Sequence, residues 1–240
     1  MTKLINLLLW YFMIPAVLSG KQHLTQQYIA GKDMAVSRIE AYILDYKQEN
    51  EKISQKEASK TPKTELQSVS ITGNALIFVG DSRTVGMRMS VGEGENIWIC
   101  KESKGYTWLT TPVDGISPSD ELKAYMSLYP EVTVVFNLGV NDLGNASYYI
   151  SYINDLKASY PMANIVYMSV NPVDDEMIDA NNYYVHNADI DAFNQKVSAG
   201  LKDVVWLDTN TYLKDGGFET WDGLHYQPTT YQTLYHLITQ

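Results

Sequence analysis

From Asn74 onward, short apolar runs alternate with segments of helical period. The runs are 75–79, 97–100, 132–138, 165–170 and 204–207. Each is almost continuously apolar rather than alternating, the pattern of a strand buried on both faces. Between them lie amphipathic stripes. Leu122, Tyr125, Met126 and Tyr129 share one helical face, as do Tyr149, Tyr152, Ile153 and Leu156. Ile190, Phe193, Val197 and Leu201 make a third, and the segment from Pro228 carries Tyr231, Leu234, Tyr235 and Ile238. Buried strands separated by helices predict an α/β architecture, with a parallel sheet covered on both sides. In such sheets a ligand crevice lies outside the carboxyl ends of the strands.

The pattern before residue 73 is different. Residues 1–20 run from Lys3 through an apolar stretch, Leu4 to Leu18, to Ser19 and Gly20, the order of a signal peptide or a membrane anchor. Either reading expects a protein secreted or tethered to the membrane through its N-terminus, in the cell envelope. No Cys stands directly after Ser19-Gly20, which argues against a lipoprotein anchor. Residues 21–72 combine a helical stripe (Val36, Ile39, Tyr42, Ile43, Tyr46) with a polar linker rich in Lys, Glu, Ser and Thr. Residues 73–240 form the candidate catalytic domain.

Composition narrows the choice of partner. The formal charge is −10, and removing residues 1–20 takes away only Lys3, one positive charge. Such a surface repels phosphate backbones, so nucleic acid is not expected as a partner. The single cysteine, Cys100, sits in an apolar run and reads as a core thiol.

Four polar segments fall where strands end. The first run leads into Gly80-Asp81-Ser82-Arg83. A serine there would face the crevice beside free backbone N–H groups if a helix starts at that point; equally, Asp81 or Ser82 is a helix N-cap. The second run is followed by Gly105, either an oxyanion donor through its N–H or an ordinary loop glycine. The third is followed by Gly139-Val140-Asn141-Asp142. Asn141 carries an amide that donates to an oxyanion, although Gly, Asn and Asp also make plain turns. Near the C-terminus stands Asp222-Gly223-Leu224-His225. A serine hydroxyl needs a base, and a histidine base needs an acceptor, which Asp222 supplies three residues away. The competing reading is a loop that caps the last helix. Of the other histidines, His23 lies outside the domain, His236 falls on the last helix, and His186 is the one competitor for the base.

In this order, the strand-end GDS, the lone glycine, the GxND segment and the DxxH segment resemble the SGNH/GDSL hydrolase superfamily of esterases and lipases. The resemblance covers about residues 75–240. It implies a three-layer α/β/α flavodoxin-like fold with about five parallel strands, and no metal or cofactor. It further implies catalytic residues Ser82, Asp222 and His225, and an oxyanion hole formed by Ser82, Gly105 and Asn141. Where the family often has Leu or Ile after the serine, this chain has Arg83, expected to reshape or charge the pocket.

These readings converge on a serine esterase acting on a small ester, with O-acetylated carbohydrate outside the cell as the first candidate. A lipase or thioesterase, an O-acetyltransferase using the same residues, and a non-catalytic glycan-binding module are the rivals. Tyr106, Trp108, Tyr148, Trp221 and Tyr226 stand near the motifs, where aromatic rings either stack on sugars or pack the core. The polar segment 171–187, with Asp174, Asp175, Glu176 and Tyr183-Tyr184, is expected to be a solvated loop along one wall rather than a metal site.

Overall fold

The computed structural model describes residues 75–112 and 115–239. The expected signal or anchor at 1–20, and the helix and linker of 21–72, lie outside them.

Five strands form one sheet: β1 (Leu76–Gly80), β2 (Ile97–Cys100), β3 (Thr133–Asn137), β4 (Asn164–Met168) and β5 (Val205–Leu207). All neighbours are parallel and the order is β2-β1-β3-β4-β5. The five expected runs are therefore the five strands, with ends displaced by a residue or two. β1 reaches Gly80 because that residue still pairs with Cys100 on one side and Asn137 on the other.

Alternation along the strands divides the core. Ile77, Val79, Phe136, Ile165 and Tyr167 face one layer of helices: α2 (Tyr106–Thr110), α3 (Pro118–Leu128), α4 (Ala146–Ser159) and α6 (Asn187–Gly200). Leu76, Phe78, Val135, Val166 and Met168 face the other: α1 (Ser82–Val91), α7 (Thr209–Gly216) and α8 (Pro228–Thr239). Aromatic stacking knits both layers, Tyr167 lying against Phe136 and Trp206 on one face and Phe78 against Trp98 on the other. This is the three-layer arrangement expected.

Three helices lack an apolar stripe. Helix α1 buries Arg83, Thr84 and Met87, two of them polar. Helix α7 buries Thr209, Asn210 and Leu213, and is anchored by the Asn210 N–H to Ser169 Oγ and the Asn210 amide to the Val170 carbonyl. A short helix, α5 (Asp175–Ala180), occupies the segment expected to be plain loop, because Asp174 accepts the Met177 N–H and caps it.

The sheet order matters for function. The strand order reverses at β1, so the connections out of β1 and β2 cross on opposite faces of the sheet. In such sheets a ligand crevice lies at that switch point, beyond the carboxyl ends of β1 and β3.

Candidate active site

Ser82 is the first residue of α1, directly beyond β1. Gly80 is required there: a Cβ would meet Thr84 Oγ1 at 1.7 Å and the Asn137 carbonyl oxygen at 2.7 Å. Asp81 caps the helix, its Oδ1 accepting the Arg83 N–H at 2.9 Å. The capping role and the presentation of the serine thus coexist in one turn. As a first-turn residue, Ser82 has an N–H with no partner inside its helix. Burial pushes the Asp81 carboxyl up to about 6, against the pull of the Arg83 N–H, the Arg83 guanidinium and nearby His225.

The loop before α8 brings the second half of the site. His225 Nε2 lies 3.0 Å from Ser82 Oγ, across 143 residues of sequence. His225 Nδ1 lies 2.8 Å from Asp222 Oδ2. The other Asp222 oxygen accepts the N–H groups of Leu224 at 2.9 Å and His225 at 2.7 Å, so one side chain closes the loop and faces the imidazole. Gly223 has φ +89°, and a Cβ there would meet the Ile178 nitrogen at 2.8 Å. Burial works to raise the Asp222 pKa. The His225 N–H, the His225 ring and the Leu224 N–H outweigh it and hold this carboxyl below the usual range. An ionised carboxylate, a histidine and a hydroxyl in line can draw the hydroxyl proton onto Nε2 and steady the resulting imidazolium.

Gly105 and Asn141 stand beyond β2 and β3, the two strands that flank β1. They are tied to each other. The Asn141 amide donates to the Lys104 carbonyl at 2.9 Å, which uses one of its two hydrogens. Asp142 accepts the Tyr106 N–H at 2.7 Å and the Asn145 amide at 2.9 Å on one oxygen, and the Tyr149 hydroxyl at 2.8 Å on the other. A Cβ on Gly105 would strike that carboxylate at 2.4 Å. The glycine is therefore what lets Asp142 cap α2 and hold the two loops together. The motif names Asp142, but nothing in its sequence neighbourhood reveals this bridging function.

Arg83 requires a correction. It does not stand exposed at a pocket rim, because its side chain is buried at 1% exposure. Nε donates to the Leu224 carbonyl at 3.1 Å, and the two terminal nitrogens donate to the carbonyls of Asn171 at 2.7 Å and Pro172 at 3.1 Å. The guanidinium carbon sits 5.0 Å from the centre of the Tyr226 ring. A large cation fits there because the carbonyls and the ring meet its donors and its face.

The segment 171–187 is likewise more than a solvated wall. The Asp174 N–H donates to the Gly223 carbonyl at 2.9 Å, and the Asn181 amide to the Asp222 carbonyl at 3.1 Å. The Tyr183 hydroxyl donates to Asp222 Oδ2 at 3.1 Å. Asp175 turns instead to Asn187 and His186. His186 caps α6 and lies 3.4 Å from Asp175 and 3.7 Å from Asp179, so its partners are these carboxylates. No group of three His, Cys, Asp or Glu suited to a metal occurs among the described residues. Of the aromatic residues near the motifs, Tyr226 is buried and Trp108 packs against the core. Tyr148, stacked on Tyr106, and Trp221 are exposed.

No family model and no curated protein matches the chain. Solved structures do. The chain is similar to a Streptococcus pneumoniae protein provisionally described as a platelet activating factor, at 19% identity over 85% of this chain and 96% of the other, with a TM-score of 0.47. It is similar to the lipase/acylhydrolase from Enterococcus faecalis at 15% identity over 68% and 92%, with a TM-score of 0.44. It is also similar to a provisionally assigned arylesterase from Agrobacterium tumefaciens at 15% identity over 68% and 95%, with a TM-score of 0.45. The parallel sheet in the order β2-β1-β3-β4-β5 brings the DxxH segment at the carboxyl side of β1 onto the GDS turn, where His225 meets Ser82.

Proposed function

We propose that the protein is a serine esterase, with Ser82 as nucleophile, His225 as base and Asp222 as the group that orients and supports it. The observation that carries this reading is the unbroken chain from Ser82 Oγ through His225 to Asp222, with contacts of 3.0 and 2.8 Å. In the first half-reaction Ser82 Oγ bonds to the ester carbonyl carbon while its proton passes to His225 Nε2. The carbonyl oxygen becomes an oxyanion facing the Ser82 and Gly105 N–H groups and the second hydrogen of the Asn141 amide. The C–O bond then breaks, and His225 returns the proton to the departing alcohol. Water, deprotonated by His225, releases the acid and restores Ser82.

The substrate class we propose is O-acetylated carbohydrate outside the cell. The N-terminal pattern of export supports it, as do the acidic composition and the exposed rings of Tyr148 and Trp221, close in sequence to the GxND and DxxH segments. A fluorophosphonate probe should label the protein at Ser82, and Ser82→Ala should abolish both labelling and turnover while circular dichroism stays unchanged. Turnover retained in a folded Ser82→Ala variant would end the esterase reading. A panel of acetylated sugars against esters of longer acids tests the substrate class, with faster turnover of the acetylated sugars expected.

A further inference from the structure

Asp222 Oδ2 receives two groups: His225 Nδ1 at 2.8 Å and the Tyr183 hydroxyl at 3.1 Å. Tyr183 comes from the turn after α5, and the same stretch sends two further hydrogen bonds to the backbone of the loop, at Gly223 and Asp222. The hydroxyl thus competes with the imidazole for one carboxylate oxygen, from a segment braced against the loop that carries both.

We propose that Tyr183 is a positioning residue that sets, through Asp222, how strongly His225 holds a proton. An O–H donor on a carboxylate stabilises its negative charge and draws density from the bond to the histidine. Removing the donor leaves that charge to the imidazolium alone, so His225 keeps its proton to higher pH. The Asp222 charge acts on Tyr183 reciprocally and raises its phenol pKa. The other groups around the pair are fixed. From the α1 turn these are Ser82 against the imidazole, buried Asp81, and Arg83 bound to the Leu224 carbonyl. From α8 it is the buried Tyr231, whose hydroxyl accepts the Tyr226 N–H. On α5, Asp174 caps its own helix, while Asp175 and Asp179 turn to His186. Among the described residues Tyr183 is the one hydroxyl that hydrogen-bonds the Asp222 carboxylate, and it is 37% exposed, so Phe fits without repacking.

The inference rests on the esterase reading only for its effect on turnover, so its test does not depend on turnover. The four histidines allow direct titration of the ring signals by NMR, with His225 assigned from a His225→Gln spectrum. In Tyr183→Phe the His225 midpoint should rise by about half a pH unit, and the acidic limb of kcat/KM should move with it. Tyr184→Phe, at an adjacent side chain that is almost fully exposed, should leave the midpoint where it was. With Asp222→Asn as background, Tyr183→Phe should add no further movement, because the path runs through the carboxylate. A His225 midpoint unmoved in folded Tyr183→Phe overturns the proposal, and so does an equal movement in the Asp222→Asn background. If the midpoint moves as expected in a protein that neither labels nor turns over an ester, the coupling stands and the esterase reading falls.

Discussion

The Asp222–His225 loop is gripped from two sides by unlike means. On the inner side Arg83, buried next to Ser82, binds Leu224 and the 171–172 backbone with three donors. On the outer side Tyr183 offers one hydroxyl from a partly exposed ring. The inner grip has no water to replace it. A lost donor there orphans buried carbonyls, and the geometry between Ser82 and His225 should give way with it. The outer grip has water at hand, so its loss should change the electrostatics of the carboxylate more than the position of the loop. Burial decides which contact sets distance and which sets proton affinity.

The sharpest way to break this contrast is Arg83→Met, which keeps the length and removes the charge and donors. It should lower stability by about 3 kcal/mol in urea unfolding, and kcat by about a hundredfold with KM nearly unchanged. Lys at this position, with a compact ammonium in place of the fork, should recover only part of the loss. If Arg83→Met retains full kcat, the inner grip does not set the catalytic distance.

Asn141→Ala removes a group outside both grips. Its expected loss of about a hundredfold falls in kcat rather than KM, since an oxyanion donor acts in the transition state. A loss confined to KM would remove Asn141 from the oxyanion site.

Asp81→Asn sharpens the inner side alone. The folded carboxyl, pushed up to about 6 from 3.8, holds its proton where the unfolded one has released it. Its contribution to stability is therefore fully present below pH 3.8 and is lost as pH rises through about 6. Asn keeps the cap and carries no charge, so the variant should gain on the parent between pH 4 and pH 7, reaching about 2 kcal/mol. Thermal unfolding across that range measures it, and a difference that does not vary with pH would refute the buried-carboxyl account.

The strands and four of the helices were readable because burial on one or both faces leaves a hydrophobic period. The proposed reactive set could be named because Ser82, Asn141, Asp222 and His225 each follow a strand or precede a helix in a recognisable order. Arg83 was misread for a physical reason. Its neighbours in sequence suggest a pocket rim, but what buries it is the carbonyl of Leu224, 141 residues away, together with Asn171 and Pro172. Tyr183 and Asp142 escaped for the same reason, since each acts through polar bonds that no local pattern announces. Helix α7 was missed because its anchor is an asparagine rather than an apolar stripe.

Among the described residues Ser82 opens the first helix and His225 lies three residues before the start of the last, and these two helices pack side by side on the same face of the sheet. As the chain leaves the ribosome, the Ser82 hydroxyl therefore exists before the His225 imidazole that meets it, 143 residues further on. On the proposed esterase reading, reactivity waits for the segment that carries His225, so a nascent polypeptide that stops short of it holds Ser82 in a disarmed state.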